Sequence, residues 1–325
     1  MRARSVPLAW AAFTCVLLVF PLVLTNPAYT SIAVFTLLFM VSATAWNSFA
    51  GYSGYIPLGS GAFYGTGAYT LALLAARWHL SGGYGVFLLV PVAGLAAAAV
   101  ALPFGFVALR TRRHTFVVIT IAIFFIFQLL AYNLGFTGGS SGVQTPTPPW
   151  SGSFFNLPFY YVSLALVGSS IGLSWAIRRS RFGLQLLAIR DDEDRARGLG
   201  VRVGRIKLAG FVVSAVPIGM AGAVYAYFVG QIFPQFVYDP VFDISVALMA
   251  FLGGLGTISG PLLGALLLEP IQQYLTLQFS VQSLYLVIYG ALFLGVILLM
   301  PRGLVPSAVE WWRRRRTRPT EAGVE

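Results

Sequence analysis

The residues able to do chemistry in this chain are few, and most of them crowd into one stretch. Between Arg178 and Lys207 lie nine of the 21 basic residues and four of the ten acidic ones. The middle of that stretch, Arg190-Asp191-Asp192-Glu193-Asp194-Arg195, sets both signs of charge side by side. Elsewhere reactive side chains are scattered. His79 and His114 are far apart, Cys15 is the lone cysteine and Lys207 the lone lysine. This pattern supplies no histidine cluster for metal or acid–base work, no disulfide within one chain, and no Gly-x-x-x-x-Gly-Lys-Ser/Thr phosphate loop. No catalytic constellation and no cofactor are expected, so the chain reads as a non-enzyme. If ATP drives it, another subunit holds the nucleotide.

The elements that must position these charges are apolar. Hydrophobic residues make up 58% of 325 positions and charged residues 10%, with a mean hydropathy of +0.80. Soluble domains carry about 25% charged residues. Runs long enough to cross a hydrocarbon core of about 30 Å lie near 6–25, 29–50, 60–76, 86–109, 115–134, 159–177, 208–230 and 282–300. A weaker, glycine-broken pair lies at 244–279. If it forms two spans there are ten helices; if it is a re-entrant hairpin there are eight. The short alternating segments of a β-barrel are absent from the sequence. The expected fold class is all-α, a polytopic transmembrane helical bundle of 8–10 spans. It forms a single domain over 1–310 followed by a basic tail at 311–325. The segment after Met1-Arg2-Ala3-Arg4 resembles a signal peptide, but its long apolar run and poor cleavage site favour a retained helix.

Orientation follows from the arginines. With a cytoplasmic N-terminus, 20 of the 21 basic residues face the cytoplasm and only Arg77 lies outside, as the positive-inside rule requires. Both termini and the 178–207 loop are then cytoplasmic. The net charge of +11 belongs to loops beside spans, where it meets anionic lipid headgroups rather than nucleic acid. A long charged loop in the middle of a membrane protein suits contact with a soluble partner.

Two glycine-rich stretches flank that loop: Asn47 to Tyr69, and Gly253 to Ala265. Gly61 and Gly65 are four apart, and Gly256, Gly260 and Gly264 repeat the spacing as an expected packing ridge, because small residues let helix backbones approach closely. Pro57 and Pro261 are expected to interrupt helices. Broken helices at membrane depth are tolerated beside protein or a water-filled cavity, so the stretches also read as lining a pathway. Their recurrence on either side of the loop suits an internal duplication. An ion-coupled secondary transporter would instead use buried carboxylates. Asp243 and Glu269 are the candidates, and Glu269, before Pro270 and Gln272-Gln273, is expected near a helix end.

These motifs carry a resemblance. Asn47, Gly51, Gly54, Leu58-Gly59, Ala62-Phe63, Gly65 and Gly67-Ala68-Tyr69 resemble the signature of permease subunits of branched-chain amino acid ABC importers, the LivM-like type. Thr137-Gly138-Gly139-Ser140-Ser141-Gly142, Ser180 to Glu193, Gly200, Lys207 to Phe211, and Gly253-Gly254-Leu255-Gly256-Thr257 with Gly260-Pro261 and Gly264-Ala265 follow in family order. The chain departs from the pattern at Pro57, Ser60, Arg195 and Arg197, where serine, histidine and small residues are frequent.

The resemblance implies import of a branched-chain amino acid or related small polar solute, with urea, amides or other amino acids as alternatives. It implies a second homologous permease subunit, two cytoplasmic ABC ATPase subunits and an external solute-binding protein, in a bacterial or archaeal plasma membrane. Phe182, Gly183, Leu187, Arg190, Asp191, Glu193 and Gly200 are then the expected ATPase-coupling residues, with Gly183 and the Gly198/Gly200 pair breaking the chain direction on either side. Asn47, Gly54, Pro57, Gly59, Ser60, Gly65, Gly67, Gly254, Gly256 and Thr257 are expected at broken helices along the pathway, with Gln128 and Asn133 as further polar groups. Gly61, Gly260 and Gly264 are expected in helix packing.

Overall fold

The computed structural model describes residues 17–24 and 26–278, with scattered positions between 287 and 310. The expected spans at 6–25 and 282–300 lie largely outside the described residues. Cys15 and the 311–325 tail lie wholly outside them. Within the described residues the chain is predominantly helical. The order is α1 (Pro27–Ser53), α2 (Gly61–Arg77), α3 (Leu89–Ala108), α4 (Arg113–Asn133), α5 (Asn156–Arg179), α6 (Arg181–Asp191), α7 (Glu193–Gly198), α8 (Val203–Val229), α9 (Pro234–Val237), α10 (Pro240–Gly253) and α11 (Gly260–Gln278). Six helical stretches among the described residues are long and apolar enough to cross a membrane.

Local chemistry sets the helix ends. Asn26 accepts from the Ala28 amide and precedes Pro27, so α1 starts with a side-chain cap and a proline whose φ is already helical. Asp239 and Pro240 repeat the device at α10. Gly54, with φ of 72°, closes α1 in the left-handed conformation.

Helix α8 is central and packs on α1, α2 and α3. Its glycines permit the approach. A Cβ on Gly67 of α2 would strike the Gly219 backbone, and one on Gly222 would strike the Tyr64 carbonyl. Phe49, Phe63, Phe104, Phe116 and Phe211 close the centre as edge-on and tilted ring pairs, with Phe63 and Phe211 centroids 5.2 Å apart. The outer faces of α3 and α4 expose Leu95, Leu102, Phe106, Val118, Phe125 and Leu129, an apolar surface suited to lipid.

Helices α10 and α11 run antiparallel: Gly253 meets Gly260 and Met249 meets Gly264. The expected ridge of three glycines is therefore corrected to two. Gly256 lies in the break between the helices, with φ of 80°. Pro261 is also corrected, because it begins α11 instead of interrupting a helix. Glu269 is not near a helix end; it sits in the middle of α11 and is fully buried. A two-residue antiparallel ladder, β1 (Val143–Gln144) with β2 (Gln231–Ile232), ties the opposite end of the bundle together and has no signal in the sequence.

Candidate functional site

The two glycine-rich stretches form one site. After α1 ends, residues 54–60 run back beside it: the Trp46 indole donates to the Pro57 carbonyl at 2.8 Å, and the Leu58 amide donates to Thr120 Oγ1 of α4 at 3.1 Å. Helix α2 thus begins inside the bundle. Its first amide, at Gly61, donates to both oxygens of buried Asp243 at 3.1 and 3.2 Å. A carboxylate at a helix N-terminus satisfies free amides and the positive end of the helix dipole. The second break, 254–259, lies against the first. Asn47 donates to the Thr257 carbonyl and accepts from the Gly256 amide, both at 2.7 Å. A Cβ on Gly51 would come within 2.6 Å of the Gly256 nitrogen. Thr257 also donates to Gly254 and accepts from the Gly260 amide, capping α11.

The charged stretch clamps this junction. Ser180 turns the chain, in extended backbone, and its hydroxyl caps α6 by accepting from the Gly183 amide. Gly183 is inside the first turn of α6, packed on the Ile177 backbone, so the direction change expected there belongs to Ser180. Asp192 separates α6 from α7 and caps α7 through the Asp194 and Arg195 amides; those hydrogen bonds, with Arg195 beside it, hold its carboxyl below the usual range. Gly200, at φ of 86°, makes the turn into α8.

Arg190 reaches inward from α6. Its guanidinium donates to the Gly51 carbonyl at 2.6 Å, while Arg113 donates to the Ile189 and Arg190 carbonyls at 3.1 and 2.6 Å. Arg178 reaches the Gly256 carbonyl at 3.4 Å. Glu193 also turns inward. It accepts from Tyr55 and, at 3.1 Å, from Lys207, whose ammonium lies 4.2 Å from the Tyr55 ring centre. Burial pushes the Glu193 carboxyl up, but the hydrogen bonds from Tyr55 and Lys207 and the Lys207 and Arg197 charges outweigh it and hold the group below its usual range. Burial, then Glu193 itself, pushes the Tyr55 phenol up.

Of the residues expected at this loop's contact surface, only Asp191 and Gly200 are exposed. Phe182 and Leu187 pack on Tyr52, Ile177 and Leu186. Arg195 and Arg197, at positions where the family pattern favours small residues, pair with Asp192, and with Glu193 and Asp194. The residues expected along the pathway are engaged in packing and hydrogen bonds: Gly59 abuts the Thr120 carbonyl, Gly65 the Tyr238 ring, and buried Ser60 sits at the start of α2. Gln128 donates to the Tyr238 carbonyl and Asn133 to its own helix. Sequence reasoning missed Arg113, Tyr55, Gly219 and Gly222 as site or packing residues. For Lys207 a signal was present, since a lone lysine beside four carboxylates invites a pair.

Residues 28–297 match the family model described as "Branched-chain amino acid transport system / permease component". The chain belongs to this family. It is 32% identical over 304 residues to the high-affinity branched-chain amino acid transport system permease protein LivM of Escherichia coli (strain K12), covering 85% of this chain and 69% of that relative. The LivM protein of Salmonella typhimurium is 31% identical over the same share. A shorter match, 30% over 125 residues, covers 37% of this chain and 34% of the autoinducer 2 import system permease protein LsrC of Yersinia pestis (strain Pestoides F). No solved structure matches the chain. As a member of this permease family the chain is a multi-pass membrane protein and the membrane-spanning component of an ABC importer. In this permease both glycine signatures and the charged stretch meet at one junction.

Proposed function

We propose that this permease imports a branched-chain amino acid, or a related small polar solute, in a complex of a second homologous permease subunit, two ATPase subunits and an external binding protein. The charged end is the cytoplasmic one, and 178–207 is the coupling loop of a single permease domain over 1–310, with 311–325 a cytoplasmic tail. The observation that supports this most is the Arg190–Gly51 hydrogen bond. It joins a surface helix to the junction of two broken helices without flexible chain between them. A partner that moves α6 therefore moves the breaks, and differential contact in two states is what shifts a conformational equilibrium.

In this reading the partner binds the outward residues of α6 and α7, while Arg190 and Glu193 transmit. Leu184 and Leu199 are 61% and 84% exposed, in a segment that also exposes Arg181, Asp191, Asp194 and Arg195, and suit insertion into a groove on the ATPase. The test is the L184E/L199E double variant, purified with its ATPase and assayed for ATP-dependent leucine uptake in proteoliposomes. Normal membrane insertion with loss of ATPase retention and uptake is expected. Wild-type retention and uptake would overturn the assignment of this surface.

A further inference from the structure

Away from the clamp, a cavity of about 400 Å³ lies between α1, α2, α8, α10 and α11. Its walls are aromatic: Tyr64 stands 4.4 Å from Phe242 and 5.5 Å from Tyr225, ring centre to ring centre. Its polar lining is Asp239, Ser245, Glu269, Gln272 and Gln273; of these, Ser245 of α10 and Glu269 of α11, on facing helices, are fully buried. The Ser245 hydroxyl and one Glu269 oxygen have no hydrogen-bond partner among the described residues. The other Glu269 oxygen accepts from Gln273 at 2.8 Å, one helical turn away. Half-buried Asp239 and exposed Phe236 stand at the rim, and no lysine or arginine is among the lining residues.

A buried carboxylate at membrane depth is costly and is kept where something compensates it. Here the chain supplies one amide, from Gln273, and leaves the second oxygen buried at the cavity wall without a partner among the described residues. The surrounding ring faces are negative and attract cations. An anion would meet Glu269 and Asp239, and a wholly apolar guest would leave the carboxylate and the serine without partners. We propose that this cavity is a docking site for the ammonium group of a small aliphatic solute, with Glu269 and Ser245 as acceptors and the aromatic rings around the apolar tail. The proposal deepens the reading of the chain as an amino acid permease and rests on it only for the choice of solute.

The test uses the full chain purified in detergent, titrated with 3-methylbutylamine, with leucine and with 3-methylbutanoate, each followed by its effect on melting temperature. The amine and leucine should raise the melting temperature saturably, and the carboxylate should not. Glu269→Gln, which keeps the shape and removes the charge, should weaken the amine roughly tenfold or more. Should that variant fail to fold, Ser245→Val and Tyr225→Leu serve in its place and should weaken the amine severalfold. Equal effects of amine and carboxylate, no saturable effect of either, or unchanged amine affinity in the variants would overturn the site. Saturable amine binding without ATP-dependent leucine uptake by the complex would leave the site standing and remove the reading of the chain as an importer of branched-chain amino acids. Intact uptake with amine affinity unchanged in Glu269→Gln would remove the site alone.

Discussion

The Arg190 guanidinium lies 2.6 Å from the Gly51 carbonyl, at the last turn of a helix far away in sequence. Arg190 is thus a structural bridge and not a solvated charge. Hydrogen bonds from charged groups contribute about 1.5–3 kcal/mol. Arg190→Ala should lose about that much of the α6–α1 attachment and lower uptake at least several-fold, while the ATPase still hydrolyses ATP. Parallel assays of hydrolysis and uptake in proteoliposomes check this. Unchanged uptake would show that the bridge carries no motion.

The Glu193 cluster gives a pH dependence with a definite sign. Its carboxyl is held below its usual range in the folded chain. Its contribution is therefore fully present above the unfolded value of about 4.3 and is lost as pH falls through the lower folded value. Melting curves of the wild type and Glu193→Gln, run from about pH 3 to about pH 8, should differ at neutral pH and converge in acid. A gap of constant size across the range would assign the stability to packing instead.

Glycine positions separate by what surrounds them. A side chain on Gly264 would overlap the Met249 backbone, whereas nothing lies within 4 Å of a Cβ on Gly172. Gly264→Leu should cost roughly 3 kcal/mol and reduce the monodisperse fraction in gel filtration. Gly172→Leu should elute as the wild type does. Equal behaviour of the two variants would contradict the α10–α11 packing.

Asp243 caps a helix that begins inside the bundle. Asp243→Ala should cost about 1–2 kcal/mol and lower uptake, and Asp243→Asn, which keeps one acceptor, should fall between. Melting temperature and uptake measured on all three proteins give the order. An Ala variant as active as the wild type would mean that the α2 terminus is satisfied in another way.

A reporter fused after Gly142 should be external, and one fused after Gly200 cytoplasmic, as the arginine distribution requires. The reverse at both sites would invert the whole assignment.

Periodicity and composition alone located α1 to α5 and α8 within a few residues, because a span must satisfy its backbone internally and stay apolar over about 20 residues. The same reasoning located the charged stretch and both glycine-rich breaks. It could not say which way a side chain turns. Arg190 and Glu193 look in sequence like surface charges, and only packing shows them reaching Gly51, and Tyr55 with Lys207. Gly256 shares the spacing of Gly260 and Gly264, yet its positive φ takes it off the helix, since three residues four apart form a ridge only if one helix carries them all. Glu269 beside Pro270 resembles a helix end, but the contacts of α11 with α10 and α1 hold the helix through the proline. The sequence by itself determined which segments enter the membrane, a matter of local transfer free energy. The tertiary structure alone decided that the two breaks meet, that one surface helix clamps them, and that a buried, half-satisfied carboxylate lines an aromatic cavity. Those pairings span up to about 210 residues of chain, and no local pattern encodes contacts at that separation.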